Sequence, residues 1–187
     1  MESNTDTFHF LFIGNLLYMK GLLVLLEACK LLKCRQSHFV CHIVGAPTGE
    51  LGIEDLQAIV LKTQLQDNIQ IHGALYGDDK KQILEQSQAF LFPTLDDCFP
   101  LVVLEAMQSG LPVIASAEGA IPDIIEEGIT GMLIEKQAPQ SLSNAMEKLI
   151  NNPELVKSMG AAGRNRYLEI FSEKNFIELI SDILRNT

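Results

Sequence analysis

Short apolar segments alternate with longer segments of helical period along most of this chain. Three of the apolar segments, Phe8–Ile13, Phe39–Val44 and Ala89–Phe92, are apolar at nearly every position. A strand of this kind has to be covered on both faces, as happens in parallel sheets with helices on either side. The pattern therefore predicts an α/β fold built on a parallel sheet.

The same pattern places the individual elements. Strands are predicted at Phe8–Ile13, Phe39–Val44, Ile69–His72, Ala89–Phe92, Val113–Ala115 and Met132–Ile134. Helical segments are predicted at Gly21–Lys33, Leu51–Leu65, Asp78–Gln86, Pro100–Ser109, Asp123–Glu127, Pro139–Asn151, Pro153–Tyr167 and Ser172–Leu184. Asp78 or Asp79 is expected to cap its helix. This order indicates a Rossmann-like three-layer sandwich with a parallel sheet of about six strands and a C-terminal helical tail.

The length and charge of the chain limit its class. The 187 residues suit a linker at residues 1–7, one Rossmann-like domain at residues 8–170 and a C-terminal helix at residues 171–187. The net charge of −10 argues against a nucleic-acid partner, because such proteins need basic surface against phosphates. It allows a nucleotide ligand, since backbone amides and one or two cations suffice for a diphosphate.

The cysteines and the hydropathy pattern indicate a cytoplasmic protein. The chain has four cysteines, Cys29, Cys34, Cys41 and Cys98, and no CxxC pair. We expect them to be reduced, mostly buried thiols, and we expect no metal site. No apolar run reaches the roughly 18 residues of a transmembrane helix, and the polar start of the chain has no signal-peptide core.

The segment from Thr94 to Ala115 carries two acids at a notable spacing. Asp97 follows the strand Ala89–Phe92, and Glu105 lies inside the next helix, with seven residues between the two acids. Open α/β sheets bind ligands at the carboxyl ends of their strands. Both carboxylates are therefore candidate site residues.

The turn after the first strand runs from Gly14 to Gly21 with the sequence GNLLYMKG. It matches neither the GxGxxG fingerprint of dinucleotide-binding folds nor the P-loop. Lys20 lies at the start of a helix, where a cation is unfavourable beside the positive helix end. This position favours a role for Lys20 in binding an anion.

These segments resemble the C-terminal, donor-binding domain of retaining GT-B glycosyltransferases of the group 1, or family 4, type. The turn from Gly14 to Gly21 resembles the family's GRLxxxKG element. Asp97 and Glu105 resemble its pair of glutamates with seven residues between them. The sequence GAIPD that begins at Gly119 resembles its GGxPE loop. The resemblance covers roughly Phe8 to Leu133 and implies the Rossmann-like fold predicted above.

The resemblance implies a binding site for the donor's diphosphate. The residues that would hold it are Gly14, Asn15 and Lys20, with the backbone amides of Leu101 and Val102. The helix that begins after Pro100 would add the positive end of its dipole. No metal or other cofactor is implied, since the family neutralises the leaving group with protein cations and helix dipoles.

The resemblance also implies where the sugar and the nucleoside bind. Asp97 would contact hydroxyls of the transferred sugar, and Glu105 would accept hydrogen bonds from the ribose; these are the predicted catalytic residues. Gly73 would let backbone approach the base, and Leu75 would cover it, so both join Glu105 as predicted nucleoside-binding residues. His72 is expected to be a packed or hydrogen-bonded strand-end histidine rather than a catalytic one.

The implied function is that of the donor-binding half of a retaining glycosyltransferase. The whole protein would move a sugar from a UDP- or GDP-sugar to a hydroxyl acceptor, in polysaccharide or lipopolysaccharide synthesis. It would be cytoplasmic, or peripheral to the inner face of the membrane. The acceptor-binding N-terminal domain would be a partner absent from this chain, so we expect this domain alone to bind nucleotide weakly and transfer nothing.

The C-terminal helix would pack on that missing domain. Its apolar stripe consists of Phe176, Leu179, Ile180, Ile183 and Leu184. A stripe left uncovered would support self-association, whereas a stripe packed on the domain's own core would not. Sequence alone leaves both arrangements open.

Two alternative functions have to be weighed against the enzyme. Asn15 replaces the family's arginine, Asp97 is shorter than glutamate, and Pro100 has no N–H to donate. These departures would suit a non-catalytic nucleotide-sugar-binding or scaffolding module. A flavodoxin-like signalling domain is a third hypothesis, but it needs an acidic cluster after an early strand, and the turn at Gly14 offers none.

Overall fold

The computed structural model describes residues 7–185, so most of the predicted linker at residues 1–7 lies outside the described residues. The strands are β1 (Phe8–Ile13), β2 (Phe39–Val44), β3 (Ile69–Gly73), β4 (Ala89–Phe92), β5 (Val113–Ser116) and β6 (Gly131–Ile134). They form one sheet in the order β3-β2-β1-β4-β5-β6. Every pairing in it is parallel, which confirms the predicted Rossmann-like sheet.

Helices cover both faces of the sheet. They are α1 (Leu22–Cys34), α2 (Ile53–Lys62), α3 (Gly77–Gln86), α4 (Leu101–Gln108), α5 (Ile121–Ile124), α6 (Pro139–Ile150), α7 (Pro153–Arg166) and α8 (Glu173–Arg185). The first and sixth helices pack against each other, as do the fourth and seventh. None of the helices within residues 7–185 is long and apolar enough to cross a membrane.

The central strands are apolar because both of their faces are buried. All four residues of β4 are buried, and so are all four of β5. The ring of Phe92 stacks near that of Phe12 from β1 and that of Phe90 in its own strand. Burial of a phenylalanine side chain contributes roughly 1.5–3 kcal/mol. This core explains why the predicted bounds of β4 match the observed ones, while β5 runs one residue beyond its prediction, to Ser116.

The observed bounds of the helices differ more from the predicted ones than the bounds of the strands do. The second helix is shorter than predicted, because the Asp55 carboxylate accepts a hydrogen bond from the Gly52 amide at 2.9 Å and fixes the start. The third helix begins at Gly77 with Tyr76 in the capping position. The predicted caps Asp78 and Asp79 lie instead in the first turn, where the helix dipole favours their charge.

The short helix after the fifth strand also begins earlier than predicted, at Ile121 rather than Asp123. The cysteine prediction is half right, because Cys29 and Cys41 are buried while Cys34 and Cys98 are exposed.

A π-helical turn at Tyr167–Phe171 separates the last two helices, and the sequence did not predict it. Arg166 precedes this turn. Its guanidinium donates hydrogen bonds of 2.8 Å to the carbonyls of Asp123 and Ile124 and pairs with the Glu126 carboxylate at 2.7 Å. The end of the seventh helix is thereby fixed to the end of the fifth.

The predicted apolar stripe of the C-terminal helix is described only in part. Three of its side chains, those of Phe176, Leu179 and Ile183, lie outside the described residues. The other two, those of Ile180 and Leu184, are exposed. The stripe therefore remains a prediction.

Candidate functional site

The order of the sheet reverses between β1 and β4, which puts a crevice at the carboxyl ends of these strands. Two adjoining hollows of about 270 and 220 Å³ open there, and both are lined by Gly14 and Val102. We call the two together the switch-point cleft. Of the predicted site residues, the lining includes Gly14, Asn15, Lys20, Leu75, Asp97, Leu101 and Val102.

Lys20 and Asp97 meet in this cleft although 77 residues separate them. Lys20 Nζ lies 2.6 Å from Asp97 Oδ2, and the side chains are 25% and 14% exposed, respectively. The ammonium also lies 5.9 Å from the centre of the Phe92 ring. A partly buried pair of this kind can exchange partners with a charged ligand without leaving either charge unpaired.

Gly21 allows Lys20 to approach the strand that precedes Asp97. Its φ is +78°, and a Cβ at this position would lie 1.8 Å from the carbonyl oxygen of Pro93. The backbone of Leu95 donates a hydrogen bond of 2.8 Å to the carbonyl of Met19. These contacts fix the lysine's loop against the aspartate's loop, which is why the two side chains meet.

The loop at Gly119 supports Asp97 from the other side. Gly119 has a φ of +53°, and an added Cβ would lie 2.0 Å from the carbonyl oxygen of Asp97. The Ala120 amide donates a hydrogen bond of 2.9 Å to the carbonyl of Cys98. The segment that resembles the family's GGxPE loop therefore packs directly beneath the aspartate's backbone.

Glu105 pairs with a different lysine. Its Oε2 lies 2.6 Å from Lys80 Nζ, with the glutamate side chain 40% exposed and the lysine 25% exposed. Lys80 also lines the switch-point cleft, beside Asn15. Sequence reasoning missed Lys80, because it belongs to no motif and only the packing of α3 near α4 brings it to Glu105.

Leu101 and Val102 occupy the first two positions of α4, after Pro100. N–H groups at these positions have no acceptor within their own helix. Pro100 is buried and has an extended backbone. Leu101 and Val102 line the cleft, and a role for their amides in binding phosphate stays a prediction. Asn15, which also lines the cleft, is exposed and carries no charge.

Of the three predicted nucleoside-binding residues, Leu75 lines the cleft and is half-buried. Gly73 and Glu105 are not among the residues that line it, and Glu105 lines two neighbouring hollows instead. Gly73 has a φ of +67°, and its carbonyl accepts a hydrogen bond of 2.8 Å from the Gly45 amide. An added Cβ on Gly45 would lie 1.9 Å from the Gly14 carbonyl oxygen. Gly45 follows β2 directly, and this glycine was the signal in the sequence that could have predicted the close approach.

A row of three histidines crosses the same sheet outside the cleft. His42 Nε2 lies 2.9 Å from His9 Nδ1, and His42 Nδ1 lies 2.9 Å from His72 Nε2. This contact agrees with the expectation that His72 is hydrogen-bonded. Burial, followed by the charges of His72 and His9, lowers the pKa of His42 to about 4, and burial lowers the pKa of His72. We call these residues the histidine row.

Comparison with known proteins identifies similar sequences. The model of the family described as glycosyl transferases group 1 matches residues 2–166. The chain is 30% identical to D-inositol 3-phosphate glycosyltransferase of Streptomyces griseus over 81% of its own length and 34% of the relative's. It is 28% identical to the amylovoran biosynthesis glycosyltransferase AmsK of Erwinia amylovora, over 92% of this chain and 43% of AmsK.

Solved structures share the fold. HepE of Anabaena in complex with UDP superposes with a TM-score of 0.87 at 20% identity, covering 97% of this chain and 50% of HepE. The C-terminal domain of the group 1 glycosyltransferase LpcC of Francisella tularensis superposes with a TM-score of 0.79 at 20% identity. That match covers 89% of this chain and 87% of the LpcC domain.

The chain thus spans less than half the length of the two curated relatives, and it matches an isolated C-terminal domain over nearly all of that domain. The family match covers most of the sequence and includes every residue of the switch-point cleft. The chain belongs to the group 1 glycosyltransferases and corresponds to a C-terminal domain of GT-B type.

Proposed function

We propose that this domain binds the nucleoside-diphosphate sugar of a retaining glycosyltransferase in its switch-point cleft. One observation carries the proposal: the cleft brings Lys20 and Asp97 together beside the free amides of a helix N-terminus. Lysine and helix amides suit a diphosphate, and a carboxylate suits sugar hydroxyls. Further support comes from HepE, which has the same fold and was solved with UDP.

In the proposed arrangement the donor lies along the cleft. The base would contact Leu75, the ribose would donate to Glu105, and the diphosphate would lie near Gly14, Asn15 and Lys20. This order follows the lining residues of the cleft from Leu75 to Leu101, with Glu105 on the adjoining hollow that Lys80 also lines. The sugar would then stand beside Asp97, which is held by the backbone contact with Gly119.

The domain's contribution to transfer is electrostatic. When the bond between the anomeric carbon and the diphosphate oxygen breaks, negative charge grows on the diphosphate. Lys20 and the amides of Leu101 and Val102 would stabilise that charge, which is a preorganised electrostatic effect. The acceptor oxygen forms the new bond to the anomeric carbon, and its proton passes to the departing diphosphate oxygen. In this proposal no metal is needed, since the charge is met by lysine and amides.

Lys20 has to exchange its partner when the donor binds. Its ammonium lies 2.6 Å from the Asp97 carboxylate. A diphosphate would compete for the same ammonium and release Asp97 for the sugar hydroxyls. Donor binding and the orientation of the aspartate are therefore coupled in the proposed mechanism.

The whole protein would contain an acceptor-binding N-terminal domain and would use a hydroxyl acceptor in polysaccharide or lipopolysaccharide synthesis. AmsK, named for amylovoran biosynthesis, supports this pathway class. A cytoplasmic location, peripheral to the inner face of the membrane, belongs to the same proposal. Self-association through α8 is supported by the exposure of Ile180 and Leu184, and sedimentation of the purified chain would test it.

Calorimetric titration of the purified chain with UDP, GDP and ADP tests the proposed function. We expect weak binding of one nucleotide and no sugar transfer by the chain alone. Lys20→Ala should weaken that binding about tenfold to a hundredfold, because a charge-assisted hydrogen bond contributes about 1.5–3 kcal/mol.

The matched control is Lys30→Ala. Lys30 is exposed on α1, pairs with Glu27 at 3.5 Å and lies outside the cleft. Equal affinities for Lys20→Ala and Lys30→Ala would contradict the phosphate role of Lys20. Failure of the unmodified chain to bind any of the three nucleotides would contradict the donor site itself.

A further inference from the structure

Lys80 is the residue of the switch-point cleft to which no motif gives a role. We propose that Lys80 is a positioning residue that holds the Glu105 carboxylate in place to recognise the hydroxyls of the donor's ribose. This inference rests on the proposed function, because it concerns the nucleoside end of the same donor site.

The geometry of the pair supports a positioning role. Lys80 lies on α3 and Glu105 lies on α4, so the contact joins two separate helices. Lys80 Nζ binds one carboxylate oxygen, Oε2, at 2.6 Å. Among the residues whose side chains the structure describes, none makes a hydrogen bond with the other oxygen, Oε1, and the glutamate side chain is 40% exposed. One oxygen is thus anchored while the other is left for a ligand.

The length of the glutamate side chain makes such an anchor useful. Three side-chain torsions separate the carboxylate from the backbone, and a free carboxylate would sample several staggered positions. A charge-assisted hydrogen bond restricts these positions before the ligand arrives. Restricting a binding group in advance lowers the entropy cost of binding. The lysine therefore improves hydroxyl recognition without touching the ribose.

The charge of Lys80 has a second consequence at this site. Asp97 lines the cleft and Glu105 lines the hollow beside it, and each carboxylate is matched by one lysine. Without Lys80, the charge of Glu105 would be uncompensated near the proposed diphosphate. That loss would weaken the binding of every diphosphate, with or without ribose hydroxyls. The positioning effect requires the hydroxyls, so nucleotides with and without them separate the two effects.

Lys81 provides a matched control on the same helix. It follows Lys80 directly, its side chain is 73% exposed, and it pairs with Glu85 at 3.8 Å. It does not line the switch-point cleft, although it borders the adjoining hollow that Lys80 and Glu105 line. Lys81→Gln therefore removes the same charge from the same helix and leaves Glu105 in its pair.

The test compares UDP with 2′,3′-dideoxyuridine diphosphate by calorimetry on the purified chain. The quantity that decides is the ratio of the two affinities, because a general loss of charge cancels in it. We expect Lys80→Gln to reduce the preference for UDP about three- to tenfold, within the range for lost preorganisation. Lys80→Arg should keep most of the preference, and Lys81→Gln should keep all of it.

An unchanged ratio in Lys80→Gln would overturn the proposal, whether or not both affinities fall together. A chain that binds the two nucleotides equally well would also overturn it, since Glu105 would then recognise no hydroxyl. Failure of the unmodified chain to bind UDP, GDP or ADP would instead contradict the proposed function, and the inference with it. Matching thermal unfolding of the Lys80→Gln and Lys81→Gln chains would show that the third helix is intact.

Discussion

The switch-point cleft and the histidine row are two polar clusters on one apolar sheet, and they differ in the partners that their polar groups bind. The cleft and the hollow beside it contain charged pairs, Lys20 with Asp97 and Lys80 with Glu105, and all four side chains retain some exposure. The row uses imidazoles that bind one another, with His42 buried at its centre.

The difference shows which cluster can accept a ligand. A charged pair can give up its partner to a phosphate or hydroxyl, because each charge then finds another partner. A buried neutral imidazole gains nothing from such an exchange, and charging it is costly. We therefore assign ligand binding to the cleft and stability to the row.

The largest expected effect concerns the histidine row and is a loss of stability in acid. The pKa of His42 is about 4 in the folded chain, against 6.5 for an ordinary histidine. The unfolded chain therefore takes up a proton below pH 6.5 that the folded chain refuses until about pH 4. The contribution of His42 to the free energy of unfolding is therefore fully present above pH 6.5. About 3 kcal/mol of it is lost as the pH falls towards 4. The lowered pKa of His72 acts in the same direction.

Urea unfolding of the unmodified chain and of His42→Gln, at several pH values from 7.5 to 4.5, measures this effect. The difference between the two chains isolates the contribution of His42 from those of the carboxylates. If the free energies of unfolding of the two chains changed with pH in parallel, the histidine row would not be the cause of the loss of stability in acid. The contrast drawn above between the row and the cleft would then be wrong.

The next largest expected effect concerns the affinity of the cleft for a nucleotide. Asn15 lines it, is exposed and carries no charge. An added guanidinium would contribute a charge-assisted hydrogen bond to the diphosphate. Asn15→Arg should raise the affinity for the preferred nucleotide about tenfold, equal to about 1.4 kcal/mol. Calorimetric titration of this variant, beside Gln36→Arg on the loop after α1, provides the measurement.

A tenfold gain with Asn15→Arg, absent with Gln36→Arg, would agree with a phosphate near Asn15. No gain would favour the non-catalytic module, or a donor that lies elsewhere in the cleft.

The smallest expected effect tests the exchange of partners. Asp97→Asn removes the carboxylate that holds Lys20 at 2.6 Å. The freed ammonium should bind UDP about threefold more tightly, since partly exposed pairs contribute up to about 1 kcal/mol. Titration with UDP alone measures this gain, because UDP has no sugar for Asp97 to bind.

Asp96→Asn is the control for Asp97→Asn, because Asp96 is an exposed acid on the same loop. A weaker affinity for UDP in Asp97→Asn would mean that the aspartate supports the diphosphate, rather than competing with it for Lys20.

The sequence predicted the sheet well because burial on two faces leaves a clear pattern. Strands such as Ala89–Phe92 are apolar throughout and end at a proline, so their bounds were predicted as observed. Helix ends depend on local hydrogen bonds, as with Asp55 at the start of α2, and these were predicted less well. The π-helical turn at Tyr167–Phe171 has no simple periodic signature and was missed.

Only the site residues that belong to recognisable motifs could be predicted from the sequence. Lys20 and Asp97 were predicted separately, and the topology of the sheet explains why they meet. The contact between Lys80 and Glu105 depends on how two helices lie against each other, which periodicity does not report. The histidine row depends on the register between strands, while a sequence shows only which residues share a face.

Arg166 gives the C-terminal segment a mechanical connection to the site. Its guanidinium joins the end of α7 to the backbone of Asp123 and Ile124, a few residues after the glycine that packs beneath Asp97. A displacement of the C-terminal segment would therefore also act on the backbone that leads to the support of the aspartate.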